Sequence, residues 1–416
     1  MTLGSALEFY DFLVFSFFAV QIGQCFFPNG NPTVSLLSAL ATFGAGFLTR
    51  PLGALVIGGL GDRLGRKPML LLSFALIGIA SLGMALTPAY ASIGIAAPII
   101  VIMCRLVQGF ALGGEMGAST AFLAESAQPT RRGFFISLQY VGAFVATLVA
   151  GAIGTGLASV MDDAALADWG WRLAMAFGAL IVPIGLALRR SMPETLKPEV
   201  AAQAMPSFAS YWRTATIALV MLLSGTITTY VLNFMTTYAR TTLNMPSDVA
   251  FGATIVVGMA GILSAFAAGL ASDRFGRKPI MIWSMAISTA SILPSFWLIV
   301  HAPSTTLFYF LIFQLRLTTH IAATAALISI TEAFPPRLRS GALAVTYALA
   351  TSVFGGTTQF VVAWLIDATG DPLAPAWYMF GAALMGLAAM MFTRETAPMK
   401  VGVADPWKRQ PAAPNG

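Results

Sequence analysis

Residues 61–68 read Gly-Asp-Arg-Leu-Gly-Arg-Lys-Pro, and residues 272–279 read Ser-Asp-Arg-Phe-Gly-Arg-Lys-Pro. Each of these basic stretches joins the second and third apolar runs of its own half of the chain. A second pattern, Glu-x3-Pro-x2-Arg, begins at Glu125 after the fourth apolar run and at Glu332 after the tenth. The chain is therefore predicted to consist of two similar halves.

The composition excludes an ordinary soluble domain. Hydrophobic residues make up 57% and charged residues 10% of the 416 residues, whereas globular chains have about 45–50% and about 25%. A bilayer core about 30 Å thick requires about 20 apolar residues per helix. Because a helix satisfies its backbone hydrogen bonds internally, the sequence predicts an all-α membrane protein.

Apolar runs separated by Gly, Pro and charged residues predict twelve transmembrane helices, called spans 1 to 12 below. The first six are predicted at residues 5–27, 34–60, 69–88, 96–122, 133–160 and 169–190. The last six are predicted at residues 211–239, 247–270, 279–300, 304–331, 341–367 and 374–393.

The predicted domains follow from these spans. Residues 1–190 form an N-terminal six-helix bundle and residues 211–393 form a C-terminal one. Residues 191–210 are predicted as a cytoplasmic linker, and residues 394–416 as a flexible cytoplasmic tail. Two parallel repeats imply pseudo-symmetry about an axis along the membrane normal, with a binding site between the halves near the midplane.

The cations predict the orientation, because cytoplasmic loops carry an excess of Lys and Arg. The loops on one side of the membrane carry Arg63, Arg66, Lys67, Arg131, Arg132, Arg189, Arg190, Lys197, Arg213, Arg274, Arg277, Lys278, Arg337 and Arg339. The other side carries only Arg172 and Arg240, together with Asp162, Asp163, Asp168, Asp248 and Asp371. Both termini are therefore predicted to be cytoplasmic, in a multi-pass protein of a bacterial inner membrane.

Several other classes are excluded by the same residues. The net charge of +6 arises from topogenic loops, so nucleic acid is not expected as a partner. Two cysteines, Cys25 and Cys104, lie in different spans and predict neither a disulfide framework nor a metal site. The two histidines, His301 and His320, are too few for a His-ligated metal. No nucleophile–base motif or phosphate loop is found, so neither an enzyme nor a cofactor is expected.

The repeated D-R-x-G-R-K motif resembles the loop motif of the major facilitator superfamily, and the resemblance covers the whole chain. It implies the major facilitator fold, with the two loops acting as a conformational gate. In this chain the gate residues are Asp62, Arg63, Arg66, Asp273, Arg274 and Arg277. The resemblance implies that Asp62 and Asp273 meet helix ends or arginines of neighbouring spans.

Further motifs resemble the metabolite:proton symporters within that superfamily. They are Leu-Glu-Phe-Tyr-Asp-Phe at 7–12, Arg-Pro-Leu-Gly at 50–53, Arg-Leu-Val-Gln-Gly at 105–109, Gly-Glu at 114–115 and Trp-Gly-Trp-Arg at 169–172. Residues 189–195, 226–230 and 238–244 are similar to the citrate–proton symporter branch, which includes tricarballylate carriers. The family also includes carriers of α-ketoglutarate, shikimate and betaine. The resemblance implies inward cotransport of a small organic anion with protons.

Six charged residues are predicted to lie inside the membrane: Glu8, Asp11, Arg50, Arg105, Glu115 and Arg316. Such charges cost about 2.5–3.5 kcal/mol on insertion scales and normally mark pathways or ion pairs. A desolvated carboxylate can become neutral by binding a proton, whereas an arginine keeps its charge. The site can therefore change between neutral and net positive, as proton-coupled anion transport requires.

These residues receive separate predicted roles. Asp11, Glu115 and Glu8 are predicted to carry protons. Arg105, Arg316 and Arg50 are predicted to bind substrate carboxylates in bidentate pairs. Some of these charges can instead form purely structural pairs. Arg316 departs from the family, since span 10 of those symporters is rich in glycine and mostly uncharged.

The partner of Asp11 stays open between two arginines. The family resemblance pairs Asp11 with Arg105 across spans 1 and 4. Counting 1.5 Å per residue along straight helices places Asp11 about 24 Å from the outer face and so favours Arg50. Both pairings remain predictions.

Neutral polar residues are also candidates for substrate contacts. They are Gln108, Gln139, Tyr230 and Asn233, with His320 one turn after Arg316 on the same helical face. Amide and hydroxyl groups in spans can equally join helices, and a lone His can equally be a packing residue.

The predicted function is proton-driven uptake of a tricarboxylate, citrate or tricarballylate, by a monomer embedded in the lipid bilayer. Uptake of another metabolite, namely a dicarboxylate such as α-ketoglutarate, shikimate or betaine, is an alternative. A drug/proton antiporter would need acids in excess of arginines, and a membrane sensor would normally carry a sizeable soluble domain.

Overall fold

The computed structural model of the chain describes residues 2–64, 66–113, 115–178 and 211–401. The predicted linker 191–210 and residues 402–416 of the predicted tail lie outside this part. Five predicted site residues have side chains outside it as well: Glu8, Asp62, Arg63, Arg66 and Glu115.

The described residues of the N-terminal half form six helical segments, several of them interrupted. Span 1 consists of Thr2–Phe17 and Ala19–Phe26, span 2 of Pro32–Leu48 and Arg50–Leu64, span 3 of Arg66–Leu86, span 4 of Ala96–Leu112 and Glu115–Ser126, and span 5 of Arg132–Val160. Span 6 begins with a short helix, Asp163–Ala165, and a π-helix, Leu166–Gly170, and stays helical through residue 178.

The C-terminal half is described in full. Span 7 consists of Trp212–Asn233 and Met235–Thr241, span 8 of Ser247–Phe275, span 9 of Arg277–His301, span 10 of Thr305–Ala333, span 11 of Pro336–Ala350, a π-helix Thr351–Gly355 and Gly356–Thr369, and span 12 of Ala374–Met391. A further short helix, Pro398–Val401, follows span 12.

Eight helices in the described residues are long and apolar enough to cross a bilayer, and the bent pair of span 1 makes a ninth. Leu71–Leu86 and Ala96–Leu112 are shorter apolar helices that belong to spans 3 and 4. Span 6 runs out of the described part. These segments account for the twelve predicted spans in two halves of six.

Local sequence explains where the spans begin and end. Asn31 precedes span 2 and accepts a hydrogen bond from the Thr33 amide at 2.9 Å, and Pro32 occupies the first helical position. Asn is favoured before a helix because its side chain accepts a hydrogen bond from an unpaired amide of the first turn. Pro is favoured at the first helical position because it has no N–H group to leave unpaired. Gly370 ends span 11 with φ of 66°, which glycine adopts without steric cost.

Spans 5 and 8 and spans 2 and 11 join the halves, with further contacts between spans 4 and 11 and between spans 5 and 10. A Cβ atom at Gly258 of span 8 would lie 2.7 Å from the backbone nitrogen of Leu148 in span 5. A Cβ at Gly44 of span 2 would lie 2.6 Å from the carbonyl oxygen of Gly356 in span 11. Small residues let helix backbones approach closely in membranes, so these glycines set the contact between the halves.

Span 1 is not the straight helix that the depth count assumed. It bends by 72° between Phe9–Phe17 and Ala19–Phe26. A rise of 1.5 Å per residue along one axis therefore overestimates the depth of Asp11 below the outer face. The count was wrong for this reason, and it no longer favours Arg50 as the partner of Asp11.

The beginning of the predicted flexible tail is folded. Glu395 accepts hydrogen bonds from the backbone amides of Arg277 and Lys278 at 2.9 and 3.0 Å, at the start of span 9. Thr396 donates to Glu332 at 2.8 Å. Carboxylates stabilise helix N-termini, where amides lack partners, so this part of the tail packs against the bundle.

Candidate functional site

A cavity of about 80 Å³ lies between the two halves. Spans 1 and 5 of the N-terminal half and spans 7, 10 and 11 of the C-terminal half form its walls. This volume has room for several water molecules, since one water needs about 10–15 Å³. Five predicted substrate-binding residues line it: Gln139, Tyr230, Asn233, Arg316 and His320. Among the described residues, no acidic side chain lines the cavity.

Arg316 supplies the cavity with a positive charge. Its side chain is 1% exposed, and its Nη2 donates to Oδ1 of Asn233 on span 7 at 2.5 Å. The guanidinium carbon lies 5.1 Å from the centre of the Phe144 ring. Nε and Nη1 of Arg316 have no hydrogen-bond partner within the residues that the structure describes. Because a guanidinium keeps its proton, the cavity wall carries a fixed positive charge with two unused donors.

His320 stands one turn further along the same face of span 10. Its ring lies edge-to-face against Tyr140 and Phe144, with centroid distances of 4.6 and 4.4 Å. The side chain is buried, and its Nε2 has no hydrogen-bond partner in the described part of the chain. The two rings hold the imidazole in one orientation, so the cavity also contains a positioned and unused ring nitrogen.

Tyr230 of span 7 separates the cavity from a group of aromatic side chains in the N-terminal half. Its ring packs against the rings of Phe43 and Phe47 on span 2, at centroid distances of 6.1 and 5.5 Å. Its phenol is near enough to three buried arginines, Arg50, Arg105 and Arg316, to interact with them electrostatically. One tyrosine is therefore common to the charged groups of both halves.

A second group of polar and charged residues, the Asp11–Arg105 cluster, lies inside the N-terminal half and consists of Asp11, Ser81, Arg105 and Gln108. Arg105 Nη1 donates to Oε1 of Gln108 at 2.7 Å. Gln108 Nε2 donates to Ser81 at 2.7 Å and lies 3.5 Å from Oδ2 of Asp11. The amide of Gln108 therefore connects the carboxylate to the guanidinium, which make no direct ion pair.

The surroundings of this cluster are aromatic and buried. Asp11 is 1% exposed and Arg105 is 0% exposed. The Arg105 guanidinium lies over Phe12 and Phe15 at 4.4 Å and over Phe43 at 5.1 Å, where cation–π attraction partly replaces hydration. Oδ1 of Asp11 has no hydrogen-bond partner among the described residues. This oxygen can bind a proton without giving up an existing hydrogen bond.

Arg50 of span 2 lies close to the Asp11–Arg105 cluster, since its guanidinium and that of Arg105 lie over the same Phe12 ring, at 4.5 and 4.4 Å. The Arg50 guanidinium also lies 4.1 Å from the centre of the Phe47 ring. Its Nε and Nη2 have no hydrogen-bond partner among the described residues. Of the two pairings predicted for Asp11, the one through Gln108 to Arg105 has a hydrogen-bonded path in the structure.

The structure thus divides the residues that the sequence grouped into one site. Arg105, Gln108 and Arg50 do not line the cavity, whereas Arg316 and His320 do. Sequence reasoning did not select Ser81, Tyr140, Phe144 and Tyr347. Tyr140 and Phe144 have the spacing of residues on one helical face, but aromatic residues at that spacing are common in packed helices, so no distinctive signal was present.

The end of the molecule with the repeated loops, here called the basic end, holds the halves together through Asp273. Its carboxylate oxygens accept hydrogen bonds from the backbone amides of Gly133 and Phe134, both at 2.9 Å, in the first turn of span 5. Arg277 donates to Asp273 at 2.7 Å and to both oxygens of Glu332 at 3.1 and 3.2 Å. A carboxylate at a helix N-terminus is favourable, so this buried network ties span 8 to span 5.

Arg274, the third gate residue predicted in this copy of the loop, is exposed. Its guanidinium lies 5.4 Å from the ring of Phe275. Among the described residues it makes no ion pair, and the network of Asp273 and Arg277 does not include it.

The opposite, acidic end also joins the halves. Arg240 at the end of span 7 donates to Oδ1 of Asp163 at 2.9 Å, and Ser247 donates to the same oxygen at 2.5 Å. The Asp163 side chain is 72% exposed. Exposed ion pairs contribute about 0–1 kcal/mol, so this contact is weaker than the buried network at the basic end.

These features define a membrane transporter: two six-span halves in contact at both ends, with a charged cavity enclosed between them. Comparison with known proteins supports this class. The family described as "Sugar (and other) transporter" matches residues 1–200 and 194–401. The chain therefore belongs to this transporter family of the major facilitator superfamily, and its fold and relatives are those of transporters.

The relatives carry small metabolites of different kinds. The chain is 34% identical to a citrate-proton symporter of Salmonella typhi, with 95% of this chain and 93% of that protein covered. It is 32% identical to an alpha-ketoglutarate permease of Escherichia coli, with 96% and 93% covered. It is 30% identical to a proline/betaine transporter of the same species, with 96% and 83% covered.

A solved structure has the same fold. The structure of a proton:xylose symporter bound to 6-bromo-6-deoxy-D-glucose matches with a TM-score of 0.75 and 20% identity, over 95% of this chain and 94% of that chain. At this identity the likeness concerns the fold alone, and it agrees with the twelve-span architecture of two halves.

Proposed function

We propose that the chain is a proton-coupled symporter that imports a small organic anion across a bacterial inner membrane. The proposed passenger is a tricarboxylate, citrate or tricarballylate. The N-terminal bundle, residues 1–190, and the C-terminal bundle, residues 211–393, alternate access to the cavity. Both termini then face the cytoplasm, and the monomer in its bilayer is the working unit.

One observation carries this proposal: the guanidinium of Arg316 lines the cavity, and none of the described residues places an acid beside it. Asn233 accepts one of its hydrogen bonds, and two donors remain unused. An unpaired charge in the membrane is costly, and a carboxylate on the passenger would offset that cost with charge-assisted hydrogen bonds. His320 and Gln139 lie in the same cavity and can donate to further oxygens.

Proton coupling is assigned to Asp11. While Asp11 is ionised, its negative charge offsets part of the field of Arg105 and of the arginines near Tyr230. When Asp11 binds a proton, that charge disappears and the cavity becomes more positive. Coulomb interactions between buried charges are strong because the surrounding medium has a low dielectric constant. Protonation therefore raises the affinity for the anion, and by linkage the anion raises the affinity for the proton.

The contacts at the two ends provide the alternating access. Asp273 and Arg277 hold the basic end closed, and the proposal makes this the cytoplasmic gate. Arg240 and Asp163 hold the acidic end. Because the cytoplasmic network is buried and the outer contact is exposed, the outer side opens at lower energetic cost. That preference suits a protein that collects its passenger from outside.

Transport into proteoliposomes tests the proposal. An inward proton gradient should drive labelled citrate or tricarballylate above its equilibrium level, and a protonophore should abolish the accumulation. The variant Arg213→Gln is the matched control, because it removes an exposed arginine outside the cavity and should stay within about twofold of the wild type. If neither acid accumulates while betaine does, the assignment of a tricarboxylate is wrong.

A second candidate passenger is a zwitterion such as betaine. Five aromatic side chains line the cavity: Phe9, Tyr140, Phe144, Tyr230 and Tyr347. Aromatic faces bind quaternary ammonium groups, and Arg316 would hold the carboxylate of such a molecule. Competition separates the candidates, because unlabelled betaine in excess should leave citrate uptake unchanged if the passenger is a tricarboxylate.

The cavity disfavours export of cationic drugs by this scaffold. Arg316 is a cation, and no described acid lines the cavity to attract a second cation. A buried like charge opposes binding of a cation by the same Coulomb interaction that favours an anion.

A further inference from the structure

We propose that Arg50 is a second carboxylate subsite, separated from Arg316 by aromatic rings, and that the passenger carries carboxylates at both ends. This inference rests on the proposed function, in which Arg316 binds one carboxylate. It extends that function by stating how many carboxylates the passenger carries and which half of the protein binds each of them.

Arg50 has donors that the protein leaves unused. Its side chain is 7% exposed, and in the described part of the chain neither Nε nor Nη2 has a hydrogen-bond partner. Among the described residues, the arginines that form ion pairs with acids are Arg240 and Arg277, and Arg50 is not one of them. Removing a charge from water without a counter-charge is strongly unfavourable. A guanidinium kept in this state is suited to a counter-charge that arrives with the ligand.

Two aromatic rings form the wall between Arg50 and the cavity. The Phe47 ring lies 4.1 Å from the Arg50 guanidinium. The same ring packs against Tyr230 at 5.5 Å, and Tyr230 lines the cavity that contains Arg316. Displacing these rings would join the two arginines in one chamber.

The backbone beside this wall is suited to such a movement. Gly355 ends the π-helix Thr351–Gly355 of span 11, and a Cβ there would lie 2.9 Å from the Phe47 ring and 3.2 Å from the Tyr230 ring. Single turns of π-helix occur frequently at functional sites. The glycine leaves no side chain against the rings, so they can rotate without displacing a neighbour on that helix.

The position of the two arginines defines the passenger. Arg50 belongs to the N-terminal half and Arg316 to the C-terminal half. A molecule with a carboxylate at each end can bind both guanidiniums and so hold the halves in one relative position. A monocarboxylate can satisfy only one of them. The site therefore selects di- and tricarboxylates over monocarboxylates of the same length.

Binding of three matched acids to the purified full-length protein tests the inference. Tricarballylate, glutarate and butyrate carry three, two and one carboxylates on the same three-carbon skeleton. Arg50→Gln should weaken tricarballylate and glutarate about tenfold to hundredfold, the worth of charge-assisted hydrogen bonds, and leave butyrate unchanged. Arg316→Gln should weaken all three acids.

Two further variants complete the design. Arg213→Gln, which changes an exposed arginine outside the cavity, should leave all three affinities unchanged. Arg50→Lys keeps the charge but not the planar fork, so it should weaken glutarate less than Arg50→Gln does and still spare butyrate. It also provides a readout if Arg50→Gln does not fold, which thermal unfolding would reveal.

The outcomes separate this inference from the function on which it rests. If wild-type protein binds none of the three acids, the proposed organic-anion function is wrong. If it binds glutarate and butyrate equally, or if the Arg50 variants weaken butyrate as much as glutarate, the second subsite is wrong while the function stands.

Discussion

The Asp11–Arg105 cluster and the cavity between the halves each contain a buried arginine, but the surroundings of the two arginines differ. Arg105 is linked to an acid through Gln108 and lies among three phenylalanine rings. Arg316 has an amide oxygen as its hydrogen-bond partner, and it faces open space. The first arginine has its counter-charge inside the protein, and the second lacks one among the described residues.

This difference suggests a division of labour between the halves. A carboxylate beside a guanidinium can exchange a proton and so change the charge of its surroundings. A guanidinium without a carboxylate keeps a constant charge and needs an anion from elsewhere. The Asp11–Arg105 cluster would then respond to protons, and Arg316 would bind the passenger. Variants in each region should fail in different ways.

The largest effect is expected from Asp11→Asn. The amide cannot bind the transported proton, so uptake driven by an imposed proton gradient should fall to the equilibrium level. Exchange of labelled for unlabelled citrate across the membrane should continue, because it requires no net proton movement. Both are measured in the same proteoliposomes.

The control for this prediction is Asp248→Asn, which changes an exposed carboxylate at the acidic end in the same way. It should accumulate citrate like the wild type. Uphill uptake by Asp11→Asn at the wild-type level would remove Asp11 from the coupling mechanism.

The next-largest effects are expected from replacing Arg316 and Arg105, and they distinguish the roles of these two arginines. Arg316→Ala should raise the citrate concentration for half-maximal exchange about 10- to 150-fold, the range for hydrogen bonds to a charged group worth about 1.5–3 kcal/mol. Arg105→Ala should change that concentration less and reduce gradient-driven accumulation more. Concentration series for exchange and for accumulation separate the two.

Arg316→Lys sharpens this test. A point charge cannot reproduce two parallel donors, so lysine should recover only part of the lost affinity. Equal losses of affinity in Arg105→Ala and Arg316→Ala would mean that the two arginines share one binding site, against the division of labour.

Much of the fold is predictable from the sequence because its signals are local. The repeated loops at residues 61–68 and 272–279 and the apolar runs between them lead to twelve spans in two halves. The bend of span 1 at Phe18 carries no such signal, since neither Pro nor Gly stands there. The contact of Glu395 with the start of span 9 joins residues that are far apart in the sequence, so no local sequence pattern predicts it.

The site is predictable in its residue types but not in its arrangement. Charged residues in apolar helices stand out because they are costly there, and so Asp11, Arg50, Arg105 and Arg316 were selected. Which of them meet depends on helix rotation and bending. A one-residue rotation of about 100° moves a side chain between the interior of one bundle and the cavity. Sequence spacing alone therefore could not separate Arg105 from Arg316.

The smallest effects are expected from two glutamines, one in each region. Gln108→Leu removes the amide between Asp11 and Arg105, whereas Gln139→Leu removes an amide from the cavity wall. A neutral hydrogen bond contributes about 0.5–1.5 kcal/mol, so each change should be about two- to tenfold. Gln108→Leu should lower the accumulation ratio and leave the affinity in exchange unchanged, because its partners lie away from the passenger. Gln139→Leu should do the reverse, and the same result for both would contradict the separation of coupling from binding.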